Sequence, residues 1–143
     1  MTLSKLKIRI ILFGVFALFS SCTQEIPDPE KAQVFIEDFM NKINAGNMEN
    51  LSEYYSEEMN NGEDDAARIA KYKQLDLALG RTLSFHLLSS KSGNEPDSPA
   101  YVTFIFEVKH SKQTVIETYS VIKEGEKFKI SSQNIVSKSA WTN

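Results

Sequence analysis

The sequence contains one cysteine, Cys22, and only two histidines, His86 and His110. One cysteine excludes an intrachain disulfide, and two distant histidines leave too few ligands for a zinc site. The longest apolar run, Ile10 to Phe19, is ten residues, about half of the ~20 that a membrane-spanning helix needs. Because glycine-rich phosphate loops and the GxSxG nucleophile motif are also missing, we expect no metal and no cofactor, and the sequence names no reaction.

Negative charge exceeds positive charge once the first 21 residues are set aside. That segment holds three of the 16 Lys and Arg and none of the 19 Asp and Glu, so the remainder has 13 against 19, a net charge of −6. A basic surface is the usual mark of a nucleic-acid-binding protein and of adsorption to anionic lipid head groups. The composition therefore argues against both partners.

The amino terminus has the layout of a secretion signal. Lys5, Lys7 and Arg9 precede the short apolar run, and small residues follow it. A positive start, a short apolar segment and a small-residue cleavage site are typical of a cleaved signal peptide, so we predict one over residues 1–21.

The residues around Cys22 resemble the lipobox of bacterial lipoproteins. Phe19, Ser20 and Ser21 precede the cysteine where that motif has a bulky apolar residue, usually Leu, and two small ones. The resemblance implies cleavage before Cys22, a diacylglycerol on its thiol and a lipid-anchored protein of the cell envelope, and Thr23 in place of Asp favours the outer membrane. The alternative is an ordinary signal peptide with an incidental cysteine.

The periodicity of apolar residues changes halfway along the chain. From Glu30 to Gly80 they recur at helical spacing, which predicts a helix capped by Asp28 and closed by Gly46, a second helical segment from Asn47 and a third helix ending at Gly80. Beyond Gly80 the spacing is two, in "RTLSFHLL", "AYVTFIFEVKH", "TVIETYSVIK" and "KFKISSQNIV". Short links between these strands favour an antiparallel meander, and helices before strands predict an α+β domain with helices on a curved four-stranded sheet.

Domain boundaries follow from these patterns. Residues 22–29 form a lipidated cysteine and a polar tether with two prolines, residues 30–137 form the domain, and residues 138–143 form a tail.

This order of elements resembles the NTF2-like (cystatin-like, SnoaL-type) superfamily. Two short motifs carry the likeness: Gly46, Asn47, Leu51, Tyr55 and Ser56 after the first helix, and Gly125, Phe128, Lys129 and Ile130 at the last strand. The resemblance implies a cone whose open end forms a pocket, and it leaves activity open because the fold hosts enzymes, ligand binders and assembly modules. Residues that would line the pocket are Tyr54, Tyr55, Tyr72, His86, Tyr101 and Tyr119.

Two functions from different classes remain open. The first is a non-catalytic envelope lipoprotein that binds a protein or a small apolar ligand. The alternative is a small SnoaL-like or ketosteroid-isomerase-like enzyme acting by proton transfer, which requires a buried Asp, Glu or His. We expect His86 to face solvent unless it serves as a general base, and we expect His110 to lie on the surface.

The second strand also suggests a docking surface. Its outer face, Tyr101, Thr103 and Ile105, is only half polar, and Val115, Tyr119 and Val121 of the next strand are expected to extend it. A patch of this kind favours a protein partner or a homodimer through the sheet.

Overall fold

The computed structural model describes residues 25–141, so the predicted signal peptide and Cys22 lie outside the described residues. Three α-helices precede a four-stranded sheet, and two short 3₁₀ turns complete the fold. The elements are α1 (Pro29–Asn44), a 3₁₀ turn (Leu51–Glu53), α2 (Glu57–Gly62), α3 (Asp65–Leu79), β1 (Thr82–Gly93), β2 (Tyr101–His110), β3 (Thr114–Glu124), β4 (Lys127–Ser137) and a second 3₁₀ turn (Lys138–Ala140).

The sheet order is β1-β2-β3-β4 and every neighbouring pair is antiparallel. The sheet is curved and does not close, which leaves β1 and β4 as its edges. The predicted α+β class and the predicted meander are therefore confirmed.

The ends of α1 and α3 are set by local chemistry that the sequence predicts. The Asp28 carboxylate accepts a hydrogen bond from the Glu30 amide at 3.0 Å, and Pro29 begins α1. Asp64 caps α3 by accepting from the Ala67 amide at 2.8 Å. Gly80 ends α3 with φ +79°, a left-handed conformation that glycine tolerates best.

The segment after α1 differs from the predicted second helix. Its backbone instead pairs with β4: Tyr54 O accepts from Ile130 N at 2.8 Å, and Ser56 N donates to Ile130 O at 2.9 Å. These bonds use groups that a continuous helix would need, so the segment divides into a 3₁₀ turn and α2, which the Ser56 hydroxyl caps. A long-range pairing has overridden the local helical spacing.

The core lies between α1 and the concave face of the sheet. Ile36 and Phe39 of α1 are fully buried there. Alternate residues of β2 face them, as the period of two predicts: Val102, Phe104, Phe106 and Val108 are all buried.

β1 departs from simple alternation because the register shifts between Thr82 and Ser84. Leu83 is the extra residue of this bulge and is 50 % exposed, although a spacing of two would place it on the same face as Phe85 and Leu87. The bulge also turns Thr82 to the same face as its partner His110.

The outer face of the sheet is less apolar than expected. Val115, Tyr119 and Val121 are buried on the concave face, because they pair with the inward residues of β2, so they do not extend the outer patch. The residues opposite Tyr101, Thr103 and Ile105 are Ile122, Ser120 and Thr118.

Candidate functional site

A half-open cavity of about 580 Å³ lies between the carboxyl-terminal ends of α1 and α3 and the end of the sheet that carries the β2–β3 hairpin. Its volume falls within the range of about 300–1,000 Å³ that is typical of small-molecule sites. The apolar part of its wall is formed by Met40, Ile43, Met48, Leu79, Val108 and Ile135.

Two polar side chains of β3 enter this apolar wall. Glu117 is 8 % exposed and Tyr119 is 2 % exposed, and both line the cavity. The Tyr119 hydroxyl donates to Glu117 Oε2 at 2.5 Å. Burial and then the neighbouring Glu117 carboxylate raise the pKa of Tyr119 well above its usual value, so the phenol keeps the proton that it donates.

His110 of β2 approaches Glu117 from the neighbouring strand, and its side chain is 9 % exposed. The expectation that His110 lies on the surface is therefore wrong. His110 shares the inward register of Val108, and the bulge of β1 places Thr82 beside it rather than solvent.

The hydrogen bonds of His110 identify the tautomer of its neutral ring. Nδ1 lies 3.1 Å from Gly80 O and 3.2 Å from Thr82 Oγ1. A carbonyl oxygen only accepts, so Nδ1 carries the proton and Nε2 presents a lone pair. Nε2 is buried, has no hydrogen-bond partner among residues 25–141, and lies 3.9 Å from Glu117 Oε1.

Gly80 is required for this arrangement. Its positive φ disfavours any side chain, and a Cβ at this position would lie 2.1 Å from Ser111 Oγ. The glycine that ends α3 therefore also brings the carbonyl that orients His110.

The buried polar groups of His110, Glu117 and Tyr119 form the floor of the cavity. A chain of hydrogen bonds connects this floor to Tyr55. The Tyr55 and Tyr72 hydroxyls lie 2.7 Å apart, and they lie 2.9 and 3.0 Å from Gln133 Oε1. Gln133 Nε2 donates to the Tyr119 hydroxyl at 3.3 Å, which in turn donates to Glu117. Each donor thus points toward the carboxylate, which is the arrangement that best stabilises a negative charge at Glu117.

The tyrosines of this hydrogen-bond chain resist ionisation. Burial raises the pKa of Tyr72 to about 12. Burial, followed by the proximity of Tyr72, raises the pKa of Tyr55 further. These groups therefore act as neutral hydrogen-bonding groups at physiological pH.

Arg68 of α3 forms a second polar cluster, and this residue is 1 % exposed. Its guanidinium donates to Asn60 Oδ1 at 2.7 Å and to Met59 O at 2.9 Å, and lies 4.2 Å from the centre of the Tyr55 ring. The Glu63 carboxylate lies 3.5 Å from Nε. A smaller pocket of about 210 Å³ lies beside this cluster and includes Tyr55 and Gln133.

The six residues predicted to line one pocket lie in different parts of the structure. Tyr72 and Tyr119 line the large cavity, and Tyr55 lines the smaller pocket. Tyr54 lies outside both and stacks on Phe35 of α1. His86 is exposed on the edge strand β1, and Tyr101 lies on the outer face of β2, where its hydroxyl donates to Glu95.

The buried polar residues that the sequence analysis did not assign to a pocket are His110, Glu117, Gln133 and Arg68. A signal existed for the first two, because His110 follows Val108 and Glu117 follows Val115 at a spacing of two. The same kind of signal existed for Gln133, two positions before Ile135 on β4, and for Arg68, four positions before Tyr72 on α3.

Within residues 25–141, no helix is long and apolar enough to cross a membrane. No group of three or more His, Cys, Asp or Glu side chains in that part of the chain is placed to hold a metal ion. Comparisons with protein-family models, with curated proteins and with solved structures find no match to this chain.

Proposed function

We propose that this chain is a lipid-anchored protein of the bacterial cell envelope whose NTF2-like domain binds a small, largely apolar molecule in the large cavity. The observation that carries the binding role is the combination of apolar walls with a buried polar floor in a space of about 580 Å³. Sites for small molecules combine these two features, because the walls supply affinity and a few polar groups fix orientation. The curved sheet over α1 supports the NTF2-like assignment.

The anchor rests on the lipobox-like residues before Cys22. We expect protein from its native membrane to lack residues 1–21 and to carry fatty-acyl mass on Cys22, because two or more acyl chains are needed for stable anchoring. Mass spectrometry of the amino-terminal peptide measures both. A Cys22→Ser variant should remain unprocessed, and an intact Met1 in the wild-type protein would contradict the proposal.

The binding role predicts saturable, one-to-one binding of a neutral apolar fluorophore such as N-phenyl-1-naphthylamine. Ala45 lies at the mouth of the cavity and is exposed, so Ala45→Trp should obstruct entry with little effect on folding. We expect this variant to weaken binding by at least about tenfold, since losing the contact area of a buried aromatic ligand costs more than 1.4 kcal/mol. Fluorescence titration measures the affinity.

Ala70→Trp is the matched control, because Ala70 is an exposed alanine of α3 that does not line the cavity. Its affinity for the fluorophore should equal that of the wild-type protein. Equal binding by the Ala45 and Ala70 variants would place the fluorophore elsewhere and refute the binding site.

A second candidate function, proton transfer, is favoured by one observation. His110 Nε2, which has no hydrogen-bond partner within residues 25–141, lies 3.9 Å from the buried Glu117 carboxylate in an apolar cavity. This arrangement can abstract a proton from a bound molecule. A ligand that exchanges carbon-bound hydrogen for deuterium in D₂O, and stops doing so in Glu117→Gln, would establish this function. A ligand recovered without deuterium would refute proton transfer, and only the binding role would remain.

A further inference from the structure

The cavity floor presents hydrogen-bond acceptors where a ligand would reach it. When the His110 ring is neutral, its Nδ1 holds the proton that faces Gly80 O, so Nε2 offers a lone pair. Glu117 Oε2 is occupied by the Tyr119 hydroxyl, and Oε1 is the oxygen nearer to His110. Both side chains are about nine-tenths buried, so bulk water competes poorly for them.

From this geometry we propose that the cavity selects an apolar molecule ending in a primary ammonium group, which donates to both His110 Nε2 and Glu117 Oε1. This proposal rests on the binding role proposed above and specifies its ligand. The ammonium charge compensates the Glu117 carboxylate, and the apolar remainder of the molecule lies against the aliphatic wall.

The spacing of the two acceptors favours a donor atom that carries at least two hydrogens. An atom about 2.8 Å from each of two acceptors that lie 3.9 Å apart sees them at an angle of about 90°. Two N–H bonds of an ammonium diverge by about 109°, so one nitrogen reaches both acceptors with hydrogen bonds bent by only about 10° each. A hydroxyl carries one hydrogen and can satisfy only one of them.

Other charged groups at the cavity lie at its rim and are exposed: Lys73, Asp76 and Arg81. Solvent screens these three, so the buried floor decides which ligand charge is favoured. A ligand carboxylate at the floor would meet the Glu117 carboxylate and a nitrogen without a proton, and it is therefore disfavoured.

The test is displacement of the neutral fluorophore from the wild-type protein by matched alkyl probes. We expect n-hexylammonium to bind at least about tenfold more tightly than n-hexanol, because a hydrogen bond to a charged group contributes more than a neutral one. Hexanoate should bind more weakly than hexanol. Hexyltrimethylammonium carries the charge but no N–H, so it should lose the advantage of hexylammonium.

Substitutions assign the preference to the floor. Glu117→Gln should remove the preference for hexylammonium over hexanol, which is measured as the ratio of the two affinities in that variant. Asp76→Asn removes one negative charge at the rim instead, and the preference should persist. The trimethylated probe tests the same hydrogen bonds in the wild-type protein if Glu117→Gln fails to fold.

Equal competition by hexylammonium and hexanol would overturn the ligand assignment. Tightest binding by hexanoate would overturn it too, as would a water that bridges His110 and Glu117 and that no probe displaces. In each of these cases saturable binding of the fluorophore still supports the cavity as a site. Absence of any saturable binding would refute the proposed function itself.

Discussion

Replacing Arg68 with alanine is expected to lower the free energy of unfolding by about 3 kcal/mol, the low end of the range for breaking a buried charge cluster. The substitution removes two hydrogen bonds to partly buried acceptors, Asn60 Oδ1 and Met59 O, and the contact with the Tyr55 ring. It also leaves the Glu63 carboxylate without its nearest buried cation. The low end of the range applies because the Glu63 side chain remains 25 % exposed and solvent screens part of its charge.

Urea unfolding of three variants tests the source of this stability. Lys71→Ala is the control, because Lys71 pairs with Glu63 Oε1 at 2.6 Å but is 60 % exposed, and we expect a change within about 0.5 kcal/mol. Arg68→Lys keeps the charge and loses the planar fork, so its loss should be intermediate. A loss for Arg68→Ala no larger than that for Lys71→Ala would refute the structural role of this cluster.

Arg68 also shows where sequence reasoning fails. The residue lies four positions before Tyr72 on the apolar stripe of α3, so helical spacing places it inward. A charged residue at such a position is ordinarily assigned to the surface, since burial of an unpaired charge is costly. Asp65, three residues earlier on α3, lies 3.5 Å from the guanidinium. The hydrogen-bond acceptors Asn60 and Met59 come from α2, and local sequence does not reveal that tertiary arrangement.

Local signals predicted the elements well where their causes are local. Asp28 and Gly80 delimit helices through side-chain capping and a positive φ, and both effects act within a few residues. The strand order follows from short connections alone. The segment around Tyr55 was predicted poorly because its backbone pairs with Ile130, 75 positions away in the sequence.

The candidate site was predicted only in part for a related reason. Tyr72 and Tyr119 follow from the resemblance and from their aromatic character. His110 and Glu117 occupy inward positions of their strands, yet inward polar residues contradict the expectation of an apolar core. Places where a sequence breaks such a rule are often functional, and the floor of the cavity fits that pattern.

The hydrogen-bonded tyrosines of the core lead to the second large effect, a steep loss of stability in alkali. Tyr55, Tyr72 and Tyr119 are all buried, and each has a raised pKa, which for Tyr72 is about 12. In an unfolded chain a tyrosine ionises near pH 10, so the unfolded state loses protons that the folded state retains. The stabilising contribution is therefore complete below about pH 10 and declines as the pH rises from about 10 through the folded-state pKa values.

The expected slope follows from the number of buried phenols. Each contributes about 1.4 kcal/mol per pH unit once the unfolded state is ionised, so three together approach about 4 kcal/mol per unit. Over the two units between 10 and 12, Tyr72 alone accounts for about 3 kcal/mol. Domains of this size are stable by about 5–15 kcal/mol, so a stability at the lower end of that range would be lost between about pH 11 and 12.

Phenolate absorbance and urea unfolding, measured together across this pH range, check the prediction. At most two of the five tyrosines should ionise while the protein is folded, and the remainder should ionise as it unfolds. Tyr72→Phe removes one buried phenol and should reduce the slope by about 1.4 kcal/mol per pH unit. Tyr101→Phe on the outer face should reduce it less, because the hydrogen bond to Glu95 raises the pKa of Tyr101 but solvent screens this exposed pair. Ionisation of all five tyrosines in a still-folded protein would mean that water reaches the hydrogen-bond chain from Tyr55 to Glu117. The cavity floor would then lack the desolvation on which its selectivity for a charged ligand depends.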